Sequence, residues 1–311
     1  MDRFEAMRVF VTVATAGGFA PAARRLGLSP PAVTRAIAAL EERVGTRLLH
    51  RTTRVVRLTE AGERFLADCR RILAEVEDAE AAAAGSHREL RGSLGVTASA
   101  MFGRLRVTPL VLDFLRRHPG LEIRTLFVDR VVGLVEEGMD VAVRIGHLPD
   151  SSLSAIRVGS VRRLVCAAPA YLAARGAPAT PADLAAHDVV AFSGLGPARE
   201  WTFREGTGSV TAPVAPRFTT NLPDVAIAAA CDGHGLTMLL SYMVAGELAR
   251  GALVPVLAGW EPPPMPVHVV HGAGRQASAR VRAFIDHLVA GLRRLDGSPH
   301  AGDVQEPAPV A

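Results

Sequence analysis

Helical spacing of apolar residues predicts two short helices before residue 27. The first runs from about Phe4 until the pair Gly17-Gly18 interrupts the pattern. The second covers PAARRL, residues 21–26, because proline is favoured in the first turn of a helix and Gly27 follows its last residue. The apolar positions predicted to face inward from the first helix are Phe4, Met7, Val11 and Ala14, with Phe10 beside them.

A third helix is predicted from residue 30 to residue 44. The Ser29 hydroxyl can accept an N–H from the first turn, and Pro30 and Pro31 are tolerated there because those positions have no intrahelical N–H partner. Apolar residues recur every three or four positions and must face the core, which leaves Thr34 and Arg35 on other faces. The core-facing positions are Val33, Ile37, Leu40 and Val44.

Alternation after this helix predicts a small β-hairpin. In LLHRTTRVVRLT, residues 48–59, Val56 and Leu58 alternate with Arg57 around a turn at 52–54, and Thr59 can cap the next helix. Helix, short helix, turn, capped helix and basic hairpin together form a winged helix-turn-helix. In such a domain the helix that follows the turn enters the DNA major groove by its N-terminal end.

Charge is concentrated in the same region. Residues 1–72 contain 13 Arg against 7 Asp and Glu, a charge of +6, whereas the whole chain has a formal net charge of +4. Every basic side chain that carries a fixed charge is Arg, which coding bias explains better than selection for phosphate contacts. An Arg cluster alone can be a solvated surface, but combined with the helix pattern and the hairpin it predicts DNA binding.

After Thr59 a single helix is predicted to run to about residue 84. Its apolar positions step alternately by four and three, as in a short a/d seam. Two interpretations are open: the helix packs on its own domain, or it pairs with a second chain. GSHRELRG, residues 85–92, indicates a hinge. The seam positions are Phe65, Cys69, Ile72, Val76, Ala79 and Ala83.

From residue 92 onward, strands alternate with helices. GSLGVTAS, LEIRTLFV and DVAVRIG are predicted strands, and VVGLVEEG, residues 131–138, is a predicted helix. This alternation is typical of an α/β domain with a mostly parallel sheet. The region contains no GxGxxG, GxxxxGK[ST], GxSxG or HExxH motif, so we expect no enzyme activity and no cofactor. Residues 296–311 are polar and rich in Pro and Gly, and are predicted to be disordered.

Composition excludes several other classes. With 311 residues and 49% hydrophobic residues, the chain is long enough for a small module and a larger domain with a true core. The N-terminus does not resemble a secretory signal and no apolar run could span a bilayer, so we expect a cytoplasmic protein without a membrane partner. Cys69, Cys166 and Cys231 are widely spaced, which supports neither a disulfide framework nor a metal site.

Residues 10–66, from FVTVATAGGFAPAARRLGLSPPAVTRA to LTEAGERFL, closely resemble the N-terminal domain of LysR-type transcriptional regulators. In that family the pair that opens the recognition helix, a Ser-Arg pair one turn later and the wing arginines approach DNA. Here Thr34 replaces the usual Ser, Pro31 replaces a small residue, and Ala20 stands where Ser or Thr commonly caps the preceding helix. The resemblance, with the Ser29 cap and the wing turn, assigns DNA contacts to Ser29, Pro30, Pro31, Thr34, Arg35, Arg51, Thr53 and Arg54.

The resemblance continues into the second half, where DVAVRIGHLPDSSLSAIRVG and RRLVCAAPAYLAARG are similar to family sequences. It implies that the linker helix dimerises and that a two-lobed effector domain, similar to a periplasmic binding protein, follows. The chain would cross between the lobes near Val161 and Pro266. The expected division is a DNA-binding domain at 1–59, a linker helix and hinge at 60–91, an effector domain at 92–295 and a tail at 296–311. The first lobe would take 92–161 plus 267–295, and the second would take 162–266.

Open parallel sheets bind ligands at the carboxyl ends of their strands, and the family places its effector in the same interlobe cleft. Ser99 near a helix N-terminus, together with Arg130 or Arg144, favours a carboxylate effector. Alternatively, Arg144 pairs with Asp129 or Asp140, and Thr219 supports a strand. The predicted effector residues are Ser99, Ala100, Met101, Val128, Arg130, Arg144, Ile145, Phe192, Ser193, Thr219, Thr220 and Asn221.

The sequence therefore predicts a DNA-binding transcriptional regulator controlled by a small, anionic effector. Its partners would be double-stranded DNA with an interrupted palindrome, the effector, further copies of the chain in a dimer or tetramer, and RNA polymerase. Three alternatives remain: a regulator whose C-terminal domain serves only oligomerisation, a thiol redox sensor, and an enzyme or solute-binding protein fused to a DNA-binding module.

Overall fold

The computed structural model describes residues 2–51, 56–83, 90–134, 137–149, 151, 153–272 and 278–296. The chain begins with three helices: α1 (Arg3–Ala16), α2 (Phe19–Leu26) and α3 (Pro30–Val44). Ser29 caps α3 as predicted, because its Oγ accepts the N–H of Ala32 at 3.3 Å. Gly45 follows α3 with a φ of 75°, the left-handed conformation that commonly ends a helix.

These three helices enclose a core of their own. Phe10, Ile37 and Leu40 are almost completely buried at its centre. The predicted inner face of α1 is wrong at Phe4, which is 41% exposed. Two overlapping stripes of apolar residues satisfy helical spacing on α1, and the packed one is centred on Phe10. Its buried members are Ala6, Met7, Val9, Phe10 and Val13.

Glu41 ties α3 to the hairpin. Strands β1 (Leu49–Arg51) and β2 (Val56–Leu58) pair antiparallel, which confirms the predicted hairpin within the described residues. The Glu41 Oε1 atom accepts the backbone N–H groups of Leu48 at 2.9 Å and Leu49 at 3.1 Å. One carboxylate thus satisfies two donors at the start of β1 and holds the wing against the recognition helix.

Helix α4 (Glu60–Ala83) continues from the hairpin. Cys69 is fully buried in the core of its own domain, so the seam prediction is wrong there. Phe65 and Ile72 pack on the same core, and the Phe65 ring centroid lies 5.7 Å from that of Phe10. Val76 is partly exposed in the single chain. The side chains of the other two seam positions, Ala79 and Ala83, lie outside those described.

Six elements follow the linker helix. Helix α5 continues through a π-helical turn, Gly103–Val107, into α6. Glycine is required at 103 because the Phe127 ring lies where a side chain would be, with its nearest atom 2.4 Å from an added Cβ. The elements are β3 (Gly92–Ala98), α5 (Ala100–Phe102), α6 (Thr108–Arg117), β4 (Leu121–Phe127), β5 (Val141–Ile145) and β6 (Ser154–Val161).

The chain then enters a second lobe. Its elements are β7 (Arg163–Ala167), α7 (Pro169–Arg175), β8 (Val189–Phe192), β9 (Glu200–Glu205), β10 (Gly208–Pro213), β11 (Pro216–Thr220), α8 (Pro223–Cys231), β12 (Thr237–Leu240), α9 (Ser241–Ala249) and β13 (Val254–Val256). These strands form a three-stranded sheet of order β12-β7-β13, a parallel pair β8–β11 and a hairpin β9–β10.

The last strand and helix return to the first lobe. They are β14 (Met265–His271) and α10 (Ala279–Asp296). The completed sheet has the order β4-β3-β5-β14-β6, in which β3, β4 and β5 are parallel and β14 is antiparallel to both its neighbours. Because β14 is antiparallel to both β5 and β6, those two strands run in the same direction as β3 and β4. Four of the five strands therefore share one direction, which agrees with the expected mostly parallel sheet, and β14 alone is reversed. Two crossings, near the predicted positions, connect β6 to β7 and β13 to β14.

One predicted helix is absent and one hairpin was not foreseen. Within the described part of residues 131–138 there is no helix. The segment packs Val132 and Leu134 onto the sheet instead. The hairpin β9–β10 turns at Gly206, which has a φ of 56°. Its alternation of Trp201 and Phe203 with polar residues is typical of a strand, although no strand was predicted there.

We expect Gly62→Ala to lower the free energy of unfolding of the DNA-binding domain by about 1–3 kcal/mol, as overpacking does. An added Cβ would lie 2.0 Å from the Leu48 carbonyl oxygen, which is backbone and cannot move cheaply. Gly246→Ala in α9 is the control, because the nearest atom there is 3.8 Å away. Urea denaturation followed by circular dichroism measures both, and equal stability of the two variants would contradict this close approach.

Candidate DNA-binding surface and effector cleft

The N-terminal half of α3 presents an exposed polar face. Ser29, Pro30, Pro31, Thr34 and Arg35 are all exposed, while Val33 and Ile37 on the other side of the helix are buried. The Thr34 hydroxyl donates to the Pro30 carbonyl at 3.0 Å, which leaves its lone pairs directed outward as acceptors. The structure thus brings the five recognition-helix residues together on one surface.

The wing lies beside this helix and carries further basic side chains. Arg57 on β2 is exposed, and His50 is its cross-strand partner on β1. Arg24 and Arg25 occupy the last turn of α2 and are also exposed. In the sequence, only the excess of arginine over acidic residues in this region indicated that these arginines could contact DNA. Among the predicted wing residues, Thr53 and Arg54 lie outside the described residues, as does the side chain of Arg51.

The carboxyl edge of the first-lobe sheet forms one side of the cleft. Ser99 follows β3 and stands at the N-cap position of α5. The Ala100 N–H is taken by Asp129, whose Oδ1 accepts it at 2.9 Å. The protein's own carboxylate therefore occupies the position that sequence reasoning gave to an effector carboxylate. Met101 is buried in the hydrophobic core, and Ile145 packs against the same core.

Neither predicted arginine is held at Ser99. Arg130 pairs with Glu137 at 2.6 Å, and Arg144 donates to the carbonyl of Val132. The alternative pairing of Arg144 with Asp129 or Asp140 is not formed either. The physical reason is strand alternation: β5 turns Arg144 onto the same face as Ala142, which Val132 and Leu134 cover. Val128 packs on this face too, and its N–H donates to the Ala98 carbonyl at 3.0 Å.

The second-lobe residues meet at the ends of two parallel strands. Thr220 is the cross-strand partner of Phe192, and the Ser193 hydroxyl donates to the Thr220 carbonyl at 3.3 Å. The Thr220 hydroxyl accepts the N–H of Leu222 at 3.1 Å. Phe192 is buried, whereas Thr219 and Asn221 are exposed. The predicted second-lobe residues therefore lie together, and the hydroxyl groups of Ser193 and Thr220 form hydrogen bonds within this segment.

Two contacts join the lobes beside the cleft, and sequence reasoning foresaw neither. Arg104, in the π-helical turn, pairs with Asp224 at the start of α8 at 2.9 Å. The Phe102 ring meets the Tyr242 ring edge-on, with centroids 5.0 Å apart. The helix that begins at the cleft in the first lobe thus touches α8 and α9 of the second. The sequence feature that could have indicated the second contact is Tyr242, a tyrosine within the apolar run LLSYMV.

Ser99 and Tyr242 bring two buried hydroxyl groups side by side at this junction. Neither Ser99 Oγ nor Tyr242 OH has a partner with good hydrogen-bond geometry within the described residues. Burial raises the pKa of Tyr242, and the adjacent Ser99 hydroxyl offsets part of that increase. Buried hydroxyl groups are normally hydrogen-bonded, so this pair has unused capacity to bind a polar ligand atom.

The cysteines lack the environment of reactive thiols. Burial raises the pKa of both Cys69 and Cys166 to about 12. Burial also raises the pKa of Cys231. Because the thiolate is the reactive form, these surroundings disfavour the redox-sensor interpretation. Within the described residues there is no cluster of His, Cys, Asp or Glu that could hold a metal ion, and no helix long and apolar enough to cross a membrane.

Comparison with known proteins identifies both halves of the chain. Residues 4–63 match the family of bacterial regulatory helix-turn-helix proteins of the lysR type, and residues 87–293 match the LysR substrate binding domain. An HTH-type transcriptional repressor of Pseudomonas aeruginosa is 35% identical over 295 residues, which cover 93% of this chain and 92% of that protein. The transcriptional activator AaeR of Escherichia coli K12 is 31% identical over 289 residues, covering 93% of each chain.

The structural comparison agrees. The LysR-type regulator CrgA of Neisseria meningitidis has a solved structure that superposes with a TM-score of 0.60 at 31% identity, over 93% of this chain and 98% of that one. The chain therefore belongs to the LysR-type family of DNA-binding transcriptional regulators that carry an effector-binding domain.

Proposed function

We propose that this regulator binds an interrupted palindromic operator as a dimer or a dimer of dimers, and that a small carboxylate in the interlobe cleft modulates the binding. The observation that carries the proposal is the exposed face of α3 at Pro30, Thr34 and Arg35, backed by a rigid core. One helix reads few base pairs, so two copies related by a two-fold axis supply the specificity.

Arg35 is the candidate for base recognition. It is exposed on the recognition face and pairs with no carboxylate among the described residues, so its guanidinium is available for bidentate hydrogen bonds to guanine. Arg51, Thr53 and Arg54 of the wing are proposed to contact phosphates or the minor groove, which would contribute affinity for all sequences. Ser29 and Pro31 would line the end of the helix that approaches the groove.

We expect Arg35→Ala to weaken binding to the selected operator by about 1–3 kcal/mol while leaving binding to random DNA nearly unchanged. Operator DNA is selected from a random library with the wild-type protein, and fluorescence anisotropy measures both affinities. Arg43→Ala is the matched control, because Arg43 is exposed in the last turn of the same helix. An equal loss on random DNA would make Arg35 a phosphate contact and contradict the proposed base readout.

Self-association through the second half of α4 is the proposed source of the dimer. Cys69 and Phe65 are used by the DNA-binding domain itself, so the pairing surface would begin near Val76 and continue through Ala79 and Ala83. On this proposal residues 60–91 act as linker and hinge between the DNA-binding domain at 1–59 and the effector domain at 92–295. The outer part of the helix then sets the half-site spacing.

We expect Val76→Asp to convert the dimer to a monomer, because the substitution places an unpaired charge in the helix–helix contact. Sedimentation of the full chain gives the mass. Arg64→Asp introduces the same side chain on the exposed side of α4 and should leave the mass unchanged. A dimer that persists in the Val76 variant would mean that the copies associate through another surface.

The cleft offers an effector three groups: the Ser99 hydroxyl, the Tyr242 hydroxyl and the Ala100 N–H. Asp129 holds that N–H in the present structure. A carboxylate effector would replace Asp129 there, with Thr219 and Asn221 contributing from the second lobe. Exchange of one carboxylate for another explains how an anion could be accepted at a site whose arginines are paired elsewhere.

We expect Asp129→Ala to tighten binding of the effector several-fold, because the competing carboxylate is removed from the Ala100 N–H. A thermal-shift screen of small aliphatic and aromatic acids identifies the ligand, and calorimetry gives its affinity for both proteins. Asp232→Ala is the control, since this exposed carboxylate pairs with His234 in the second lobe. Unchanged or weaker binding to Asp129→Ala would show that the ligand does not use this N–H.

The proposed location, the proposed contact with RNA polymerase and the absence of catalysis follow from a role in transcription regulation. The protein would act in the cytoplasm, contact RNA polymerase when bound at a promoter, and catalyse no reaction. A regulator that uses its C-terminal domain only for oligomerisation would leave the adjacent buried hydroxyl groups of Ser99 and Tyr242, which among the described residues have only each other as neighbours of this kind, without a role. These buried groups therefore favour a ligand-responsive domain.

A further inference from the structure

Three basic side chains lie in a row across the first-lobe sheet. In the register of β14, His268 is the partner of Arg144 on β5 and of Arg157 on β6. Neighbouring strands are about 4.8 Å apart, so side chains at paired positions are close when they share a face. The two arginines flank His268 from the neighbouring strands, so this row of Arg144, His268 and Arg157 gathers two fixed positive charges and an imidazole at paired positions.

The flanking residues show that the three side chains share a face. Each of the three stands between residues that pack into the hydrophobic core beneath α6 and α10. Because side chains alternate across a strand, the basic row points to the opposite face of the sheet. The flanking core residues are Val143 and Ile145 on β5, Val267 and Val269 on β14, and Ile156 and Val158 on β6.

The basic row has no counter-charge among the described residues. None of its members forms an ion pair with a described carboxylate within 4.0 Å. Burial lowers the pKa of Arg144, and no nearby carboxylate offsets that effect. The Arg144 guanidinium donates to the Val132 carbonyl, its one hydrogen bond among the described residues. The His268 Nδ1 atom is buried and has no hydrogen-bond partner within the described structure.

We infer that the basic row is a second ligand site, which binds a small oxyanion such as a carboxylate or a phosphate on the outer face of the first lobe. An oxyanion supplies the missing charge, and its oxygens accept N–H groups from both arginines and from the imidazole. Arg157 is exposed, so the anion would enter there. The site lies on a face of the sheet, whereas the proposed effector cleft lies at its edge, and neither depends on the other.

Apolar residues on the same face bear on the choice of anion. Leu148 and Leu153 follow β5 and pack on the cluster of Val132 and Ala142 that shares this face. A carboxylate attached to a small apolar group would find both a charge partner and a hydrophobic surface. Inorganic phosphate would use only the charges. Benzoate and inorganic phosphate are therefore the two probes.

The test compares the full-length wild type with Arg157→Glu and Arg157→Gln by thermal unfolding in HEPES and sodium chloride. The glutamate supplies an internal carboxylate to Arg144 and His268, so Arg157→Glu should melt several degrees above Arg157→Gln. Benzoate or phosphate should raise the melting temperature of the wild type, and the rise should be lost in both variants. The anion that gives the Arg157-dependent rise identifies the class of ligand.

Two controls separate this site from other effects. Arg282→Glu and Arg282→Gln make the same charge changes at an exposed position of α10, and should melt alike and keep the response to anions. Asp129→Ala alters the cleft and should keep the Arg157-dependent rise, so failure of the cleft proposal would not affect this result. The inference is overturned if Arg157→Glu melts no higher than Arg157→Gln, or if wild type and both variants respond equally to the two anions.

Discussion

The first lobe depends on a strand that the chain supplies last. β14 lies between β5 and β6 and hydrogen-bonds to both, and its residues Val267 and Val269 are buried in the core of that lobe. The whole second lobe separates β6 from β14 in sequence. The five-stranded sheet therefore cannot close until the second lobe has been made, and its pairing requires the closure of a long loop. Folding of the first lobe is consequently coupled to that of the second, although each lobe has its own sheets.

The helical segment from Ala100 to Arg117 contacts both lobes and begins at the candidate effector site. Its first turns contact the second lobe through Phe102 and Arg104, while its later part packs against the first-lobe sheet. Ser99 stands at its N-terminus, in the cleft. A ligand at the proposed site beside Ser99 would therefore act on the same element that contacts both lobes. Differential contact with two arrangements of the lobes is the physical requirement for an effector to change a distant DNA-binding domain.

The structure was most predictable from the sequence where a local pattern is compatible with only one conformation or one buried face. The Ser29 cap, the burial of Val33, Ile37 and Leu40 on α3 and the β1–β2 hairpin follow from spacing and turn chemistry, and the structure has all three. The same spacing is wrong at Val44, the last residue of α3, which is 39% exposed. Helix α1 shows the limit, since two apolar stripes fit the same spacing and only packing against α3 and α4 selects the one centred on Phe10. Cys69 fits either a dimer seam or a domain core for the same reason.

The cleft was harder to predict because its geometry depends on distant partners. The positions of Ser99, Ser193 and Thr220 at the ends of strands could be predicted, since they follow from where each strand stops. The partners of Arg130 and Arg144 could not be read from the sequence, because they depend on how segment 128–140 folds over the sheet. Tyr242 reaches the site only through the contact between the lobes, which no local pattern encodes.

The two prolines at the start of α3 have a consequence for what this helix can read. Neither has an N–H, and the N–H groups of Ala32 and Val33 are both used by Ser29. The first turn therefore has no backbone donor left for a phosphate, which is the group that helix N-termini usually bind. What Pro30 and Pro31 offer instead is exposed ring carbon. Exposed ring carbon can make apolar contact, as with the methyl group of thymine, but it cannot bind an anion as a free helix N-terminus does.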